Sequence, residues 1–355
     1  MFSIMLSVNS VLASGNTSIH PNSEGEKIAT IGTNIEGEES PKAFVLIGTA
    51  FYNSPSPPTI TSFTPLSGPV GTLVTITGTN LEMPTSLLIG GADAIPISND
   101  GGTLVAMLMP GAMTGTVDIS TSGGTATSTD NFTIEASVPP KAQQGDKLVG
   151  TGNTGPALQG RSVSLSADGN TALVGGYGDN TGQGAAWVFI RTGSTWTQQG
   201  TKLVGTGNGG AAQQGISVSL SADGHTALVG GYADNGWQGA AWIFTRTDST
   251  WSQQGEKLTG TGIEGAARRG KSVSISADGN TAMIGGPYDN SSLGAVWIFT
   301  RTDSTWAQQG EKLVGTGSVG DADGRVYQGV SVSISADGTT ALVGGEYDNA
   351  KAGAV

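Results

Sequence analysis

Residues 162–180 read SVSLSADGNTALVGGYGDN, and nearly the same stretch returns three more times along the chain. The other copies are SVSLSADGHTALVGGYADN at 217–235, SVSISADGNTAMIGGPYDN at 272–290 and SVSISADGTTALVGGEYDN at 331–349. The aspartate of the SADG motif lies at positions 168, 223, 278 and 337, so the copies are 55, 55 and 59 residues apart. Such a period indicates stacked copies of one supersecondary unit.

One complete repeat contains four segments with the pattern of β-strands. SVSLS alternates polar and apolar residues, and an Asp-Gly turn separates it from the apolar run TALVGG. The segments AAWVFIR and STWTQQGTKLVG then supply a third and a fourth strand. Four antiparallel strands in a repeat of this size are typical of a β-propeller blade. Because one blade cannot bury both of its faces, adjoining blades must cover them.

The segment 57–136 follows the proline-rich linker Ser54–Pro58 and does not share the repeat. We predict short strands around Ile60 and Phe63 and at Leu73–Thr77, Ser86–Ile89, Leu104–Leu108, Thr116–Thr121 and Phe132–Ile134. Strands at this spacing are typical of an immunoglobulin-like sandwich. The predicted fold class is therefore all-β, with a sandwich followed by propeller blades.

The sandwich segment resembles the IPT/TIG domain. The matching residues are Pro65, Gly68, Gly71, Val74-Thr-Ile-Thr-Gly78, Asn80, Gly90-Gly91, Pro110, Gly115, Gly123-Gly124 and Phe132. The resemblance implies a spacer or binding module and brings no catalytic residues with it.

The repeats resemble the FG-GAP family of bacterial surface proteins through their SADGNT and W-x-Q-Q motifs, and more distantly the integrin α-chain propeller. The resemblance implies a propeller that usually has seven blades. We predict four blades here, at 146–200, 201–255, 256–310 and 311–355, with the last one truncated. We therefore expect a partial ring and a longer reading frame downstream. A closed four-bladed ring is the alternative.

The calcium loops of the FG-GAP family carry several aspartates, as in D-x-D-x-D-G, whereas each matching loop here carries one. A Ca²⁺ ion takes about 6–8 oxygen ligands. We therefore interpret the SADG aspartates Asp168, Asp223, Asp278 and Asp337 as turn residues and expect no cofactor. The alternative is calcium at Asp321 and Asp323, which form the only D-x-D-G pair.

Composition disfavours several functions. Lys and Arg number 16 against 28 Asp and Glu, and the net charge of −12 disfavours nucleic-acid binding. Cysteine is absent, so disulfides and thiol catalysis are excluded. The only histidines are His20 and His225, and His225 stands where other repeats have Asn or Thr, so we expect no enzyme. No apolar run reaches 18 residues, and we expect no membrane span.

The ends of the domains are marked by composition. Residues 1–22 are interpreted as a leader, because Met1–Ala13 is apolar and ends like a signal cleavage site, although it lacks a basic start. Residues 23–56 have no assigned fold beyond a candidate strand at Lys42–Tyr52, and residues 137–145 are a linker. We expect a secreted or cell-surface bacterial protein.

The candidate ligand-binding residues lie in the loop after the second strand of each repeat. They are the pairs Asp179 and Asn180, Asp234 and Asn235, Asp289 and Asn290, and Asp348 and Asn349, together with Trp237, which occurs in one repeat only. An exposed tryptophan there would be a contact anchor. Turn capping by the Asx side chains is the alternative for the pairs. The tryptophans that recur in every repeat are predicted to pack between blades.

These features predict a non-catalytic adhesion module that binds protein or carbohydrate. The alternatives are the non-catalytic part of a secreted polysaccharide-acting enzyme, or a purely structural repeat protein of the cell envelope.

Overall fold

The computed structural model describes residues 17–21, 27–31, 55–136 and 141–355. The chain forms two compact units, Met1–Ser56 and Pro57–Val355. In the first unit, β1 (Thr17–Pro21) and β2 (Lys27–Ile31) pair as an antiparallel hairpin. The predicted leader segment Met1–Ala13 and the candidate strand Lys42–Tyr52 lie outside the described residues.

Residues 57–136 fold as the predicted sandwich. The strands are β3 (Thr59–Thr64), β4 (Ser67–Gly68), β5 (Leu73–Thr79), β6 (Ser86–Ile89), β7 (Ala92–Asp93), β8 (Ile95–Asn99), β9 (Thr103–Met107), β10 (Val117–Thr121), β11 (Gly124–Thr127) and β12 (Thr133–Ile134). One sheet has the order β3-β5-β9-β8, the other has the order β11-β10-β6-β7, and β4 pairs with β12 in parallel. Alternating apolar residues of both sheets, such as Val74, Ile76, Leu104 and Ile119, close the core with Phe132.

Two of these strands carry little sequence signal. Strand β8 contains Pro96, which cannot donate a backbone hydrogen bond, and β8 is accordingly at the edge of its sheet. Strand β11 reads GTAT and is also an edge strand. Both depend on a neighbouring strand rather than on their own hydrophobic pattern.

The repeats form three four-stranded sheets followed by a two-stranded one, each in chain order. The elements are β13 (Ser162–Leu165), β14 (Thr171–Gly176), α1 (Asp179–Gly182), β15 (Ala185–Thr192), β16 (Thr195–Gln198), β17 (Ser217–Leu220), β18 (Thr226–Gly231), α2 (Asp234–Trp237), β19 (Ala240–Thr247), β20 (Thr250–Gln253), β21 (Ser272–Ile275), β22 (Thr281–Gly286), α3 (Asp289–Ser292), β23 (Ala295–Thr302), β24 (Thr305–Gln308), β25 (Gln328–Ile334), β26 (Ala341–Gly345) and α4 (Asp348–Lys351). The first three blades thus have the predicted four strands. The elements α1 to α4 are single four-residue turns.

The fourth strand of each full blade is shorter than its sequence suggests. In the first repeat the regular pairing ends at Gln198, Gly200 turns the chain with φ +70°, and Leu203 then forms one isolated bridge with Ala186. The same interruption follows β20 and β24. A glycine at positive φ allows this break, and the apolar Leu203 returns to the sheet to be buried.

Successive blades stack through their first strands. The backbone N–H of Leu220 donates to the Ser164 hydroxyl at 3.1 Å, and the same bond joins Ile275 to Ser219 and Ile334 to Ser274. Apolar side chains fill the space between blades. Between the first two, Leu173 and Val188 of one blade meet Val218, Leu220 and Trp242 of the next. This confirms that the blades bury each other's faces, and that this recurring tryptophan packs between them.

The sandwich packs on one end of the stacked blades. Ile97 and Met107 of its β8 and β9 form an apolar cluster with Ala222 and Ala277 of the SADG turns. Ser162 pairs with Gly175 and Leu165 with Ala172, so the SADG turn and the Asp-Asn loop lie at opposite ends of each sheet. The apolar contacts that the described residues of the sandwich make with the blades are therefore at the end remote from the Asp-Asn loops.

Candidate ligand-binding site

The aspartate of each interior Asp-Asn pair is buried and bonded. Asp179, Asp234 and Asp289 are at most 1% exposed. Each accepts a backbone N–H bond of 2.7 Å, from Thr154, Gly209 and Glu264 respectively. Each also pairs with a lysine beyond the fourth strand of its blade: Lys202, Lys257 at 2.5 Å and Lys312 at 2.6 Å. These carboxylates hold the loop to the sheet, as the capping alternative expects.

The asparagine of each pair faces solvent in a left-handed backbone conformation. The φ angles of Asn180, Asn235, Asn290 and Asn349 are 48°, 46°, 46° and 50°. Asparagine is among the few residues enriched in this conformation. The Asn180 and Asn235 side chains donate to Gln183 and Gln238. The ligand-binding role of the pairs stays a prediction, and the asparagines are the members that a ligand could reach.

Asp321 and Asp323 are held by an arginine. The Arg325 guanidinium donates to Asp321 at 2.9 Å and to Asp323 at 2.5 Å. The hydrogen bond from Arg325 holds the pKa of Asp321 below its usual value. Among the described residues, no group of three or more histidines or carboxylates is placed to hold a metal ion. Calcium at this pair stays a prediction.

The SADG aspartates form the predicted turns. Gly169 donates its N–H to the carbonyl of Ser166 at 3.0 Å, and Asp168 accepts bonds from Ser166 and from the backbone of Asn170. In the second repeat His225 takes the place of Asn170, with its Nδ1 3.3 Å from Asp223. The histidine therefore serves a turn that asparagine serves elsewhere.

Trp237 lies in a cluster of aromatic and cationic side chains at the loop end. Its side chain stays 42% exposed. Its ring meets the Tyr232 ring edge-on at a centroid distance of 5.4 Å, and the Arg268 guanidinium lies 4.9 Å from its centroid. Arg268 also lies 3.8 Å from the centroid of Tyr288. Lys271 completes the cluster, with Nζ 5.0 Å from the centroid of Tyr232.

Aromatic contacts continue from this cluster into the last repeat. The Tyr288 ring lies 4.9 Å from Tyr327, and Tyr327 lies 4.8 Å from Tyr347, centroid to centroid. We call the whole set the loop-end strip; its members are Tyr232, Trp237, Arg268, Lys271, Tyr288, Tyr327 and Tyr347. It crosses three repeats and combines flat apolar rings with positive charge.

A shallow cleft of about 490 Å³ opens beside the strip. Its lining includes Glu264, Arg268, Tyr288, Asn290 and Ser291. Its wall thus contains one aromatic ring, one cation, one carboxylate and the amide of a predicted site residue. Such a lining can stack a ring-shaped group and donate and accept hydrogen bonds around it.

Sequence reasoning identified Trp237 of the strip and Asn290 of the adjoining cleft but missed the other members of the strip. The sequence does contain a signal for them, because a residue that differs from its equivalents in the other repeats is not required by the fold of the blade. Arg268 stands where the other repeats have Leu158, Gln213 and Tyr327. Arg268 is separated from Trp237 in the chain, and only the fold shows that the two side chains meet.

The fold is an immunoglobulin-like sandwich packed on sheets of propeller-blade type, with the loop-end strip at the other end of the blades. Residues 58–136 match the family model of the IPT/TIG domain, which confirms that part of the sequence interpretation. No curated protein matches the chain. The FG-GAP assignment of the repeats stays a prediction.

Several solved structures are similar to this chain at low identity. An auxiliary nutrient binding protein from Bacteroides thetaiotaomicron VPI-5482 is 12% identical with a TM-score of 0.30, over 82% of this chain and 65% of that one. The periplasmic gluconolactonase PpgL of Pseudomonas aeruginosa is 16% identical with a TM-score of 0.31, over 93% of this chain and 75% of that one. The chain thus spans less than two thirds of the nutrient binding protein.

Proposed function

We propose that this protein is a non-catalytic binding module that holds a carbohydrate on its loop-end strip. The observation that carries the proposal is the exposed ring of Trp237, which is held in place by contacts with Tyr232 and Arg268. The C–H face of a sugar ring is apolar and can lie flat on such a ring, while its hydroxyls bond to nearby amides and charges. The adjoining cleft supplies those polar groups in Asn290 and Glu264.

The arrangement of the domains supports presentation of a ligand surface. The sandwich contacts the SADG end of the blades, so a partner can approach the strip from the opposite end. Within the described residues no helix is long and apolar enough to cross a membrane. We propose, as for the FG-GAP resemblance, that the protein acts at the bacterial cell surface or after secretion, in adhesion or in glycan capture.

The test is a substitution that the fold already accepts. The equivalent of Trp237 in the third repeat is Ser292, and both residues have φ 73°. Trp237→Ser should therefore preserve the loop and remove the ring. We expect retardation of the protein in native gels containing xyloglucan, galactomannan, polygalacturonate or alginate, and at least about a tenfold loss of affinity in the variant, the size typical of an aromatic anchor.

The matched control is Met113→Ser, which removes another exposed apolar side chain, 73% exposed on the sandwich. It should leave binding unchanged. Retention of full affinity by Trp237→Ser would contradict the site. Absence of retardation by every polysaccharide, together with Trp237-dependent binding of a protein, would favour protein adhesion instead.

A further inference from the structure

We infer that the ligand of the loop-end strip is an acidic polysaccharide, with carboxylate or sulfate groups along its chain. The inference rests on the proposed carbohydrate-binding function and adds the charge of the ligand. It is carried by three cations at this end of the blades: Arg161, Arg268 and Lys271.

The three cations do not belong to the repeat. Arg268 stands where the other repeats have Leu158, Gln213 and Tyr327. Arg161 and Lys271 are equivalent to each other, and the other two repeats have Ile216 and Val330 at that position. A residue that the blade requires recurs in every complete blade, as the lysine partners of the buried aspartates do in Lys202, Lys257 and Lys312. Folding of the blade therefore does not explain these charges.

The same three cations have no acidic partner among residues 55–136 and 141–355, where none of them lies within 4.0 Å of a carboxylate oxygen. Lys202, Lys257, Lys312 and Arg325 are paired, whereas Arg191, Arg246 and Arg301 also have no salt bridge in these ranges, so what distinguishes the three cations is their position at the loop end of the blades. The whole chain has 28 acidic residues for 16 basic ones, so carboxylates are in excess. Cations left unpaired in such a chain are available to an external anion.

The cations also repel one another. Burial and the charges of Arg161 and Arg268 lower the pKa of Lys271, and Glu346 offsets only part of this effect. A bound anion would relieve the repulsion. Nearby Glu264 is engaged by Lys312 at 2.8 Å and so is partly neutralised.

Net charge does not prevent this binding. The charge of −12 is spread over the chain, and at physiological ionic strength charges are screened beyond about 8 Å. Local contacts therefore decide, and in the strip the local charge is positive. The aromatic rings of Trp237 and Tyr288 hold the sugar rings while the cations meet the acidic groups.

The test compares one polymer in two charge states. Polygalacturonate and its methyl ester share a backbone and differ in the carboxylate. We expect the intact protein to bind polygalacturonate at least about tenfold more tightly than the ester, with a preference that falls as salt rises. Alginate and dextran sulfate should be bound in preference to dextran.

The variant Arg268→Gln/Lys271→Ile carries the residues of the second repeat, Gln213 and Ile216, and so fits a backbone that the fold already forms. It should lose the preference for the acid form. Lys147→Gln removes one exposed cation from the segment that precedes β13, the first strand of the repeats, and should leave the preference within about twofold.

The outcomes separate the two proposals. Equal binding of the acid and the ester, with loss of both in Trp237→Ser, would overturn the inference of an acidic ligand and leave the proposed function standing. Failure to bind any of the three acidic polymers would also overturn it. Failure with the neutral polymers as well would contradict the carbohydrate function itself.

Discussion

The first and second repeats have nearly the same sequence but different surroundings. Val163 and Leu165 on the first strand of the first repeat are 69% and 59% exposed. Their equivalents in the second repeat, Val218 and Leu220, are 8% and 7% exposed. The strands have the same length and register, so what differs is the blade that covers them.

The last repeat shows the same contrast on its other face. Leu342 is 60% exposed, whereas Leu173 and Leu228 at the same position are fully buried. The alternating pattern of a strand thus determines on which face of the sheet each side chain lies. Whether that side chain is buried depends on whether an adjoining blade covers the face. Stability in such an array depends on interfaces between repeats as much as on the repeats themselves.

The largest expected effect comes from truncating the same leucine in both settings. Leu228→Ala leaves a cavity between the second and third blades and should cost about 3 kcal/mol of unfolding free energy, whereas Leu342→Ala should cost less than about 1 kcal/mol. Urea unfolding with a shared m-value measures the difference. Equal losses of unfolding free energy in the two variants would mean that packing between blades contributes little to stability, and would contradict the comparison of covered and uncovered blade faces.

A smaller effect is expected from the buried aspartate. Asp234→Ala removes the acceptor of the Gly209 N–H and leaves Lys257 without its ion-pair partner. The free energy of unfolding should fall by about 2–3 kcal/mol, somewhat less than for a fully buried ion pair because Lys257 is 20% exposed. Asp348 accepts only backbone bonds, from Val319 and Asn349, and has no salt bridge within the described residues.

Asp348→Ala should therefore cost about 1–2 kcal/mol of unfolding free energy, the net contribution of two exposed backbone hydrogen bonds. Melting curves of both variants test this. A loss for Asp348→Ala as large as that for Asp234→Ala would show that the lysine adds nothing to the loop.

Much of the fold can be predicted from the sequence because the same strand-turn-strand pattern occurs four times. The Asp-Gly turn, the order of strands and the stacking of blades need only the pattern of SVSLSADGNTALVGG and the rule that apolar faces must be covered. The left-handed turn after each Asp-Asn pair is less predictable, since it accepts Thr, Ser, Ala and even Trp237 at positive φ.

The candidate site is only partly visible in the sequence. Trp237 could be singled out because it breaks the repeat within one loop. The meeting of Trp237 with Arg268 and Tyr288 depends on how adjoining blades bring three loops together, which no local pattern records. The burial of Asp179 and its equivalents likewise depends on a lysine 23 residues away.

The smallest expected effect on stability comes from the opposite comparison, in which the surroundings are the same and the residue differs between repeats. In the second repeat the Gln214 amide accepts from the Gly205 N–H at 2.6 Å and donates to its carbonyl at 2.9 Å. In the third repeat Arg269 replaces this glutamine and can only donate, to the carbonyls of Gly260 at 3.0 Å and of Gln238 at 3.2 Å.

Arg269 is also a poorly compensated buried charge. It is 3% exposed, and burial lowers its pKa to about 10 despite the opposing charges of Asp289 and Asp234. Arg269→Gln removes this buried charge and permits the bond from the Gly260 N–H, while losing the bond to the Gln238 carbonyl, so it should stabilise the chain by about 1 kcal/mol. The converse variant Gln214→Arg should destabilise it by about 1–3 kcal/mol, because it buries a new charge in a site built for an amide.

The pH dependence tests the cause of this difference. Because burial lowers the pKa of Arg269 to about 10 in the folded state, below its ordinary value, its charged form opposes folding at neutral pH, and that cost shrinks as pH rises through about 10. The gain of Arg269→Gln should accordingly be constant from pH 7 to 9 and decrease above it, as measured by chemical unfolding. If the gain in unfolding free energy is unchanged at pH 10.5, the effect comes from the hydrogen bond alone. If Arg269→Gln instead lowers stability, the third blade has adapted to its arginine and the repeats are not interchangeable at this position.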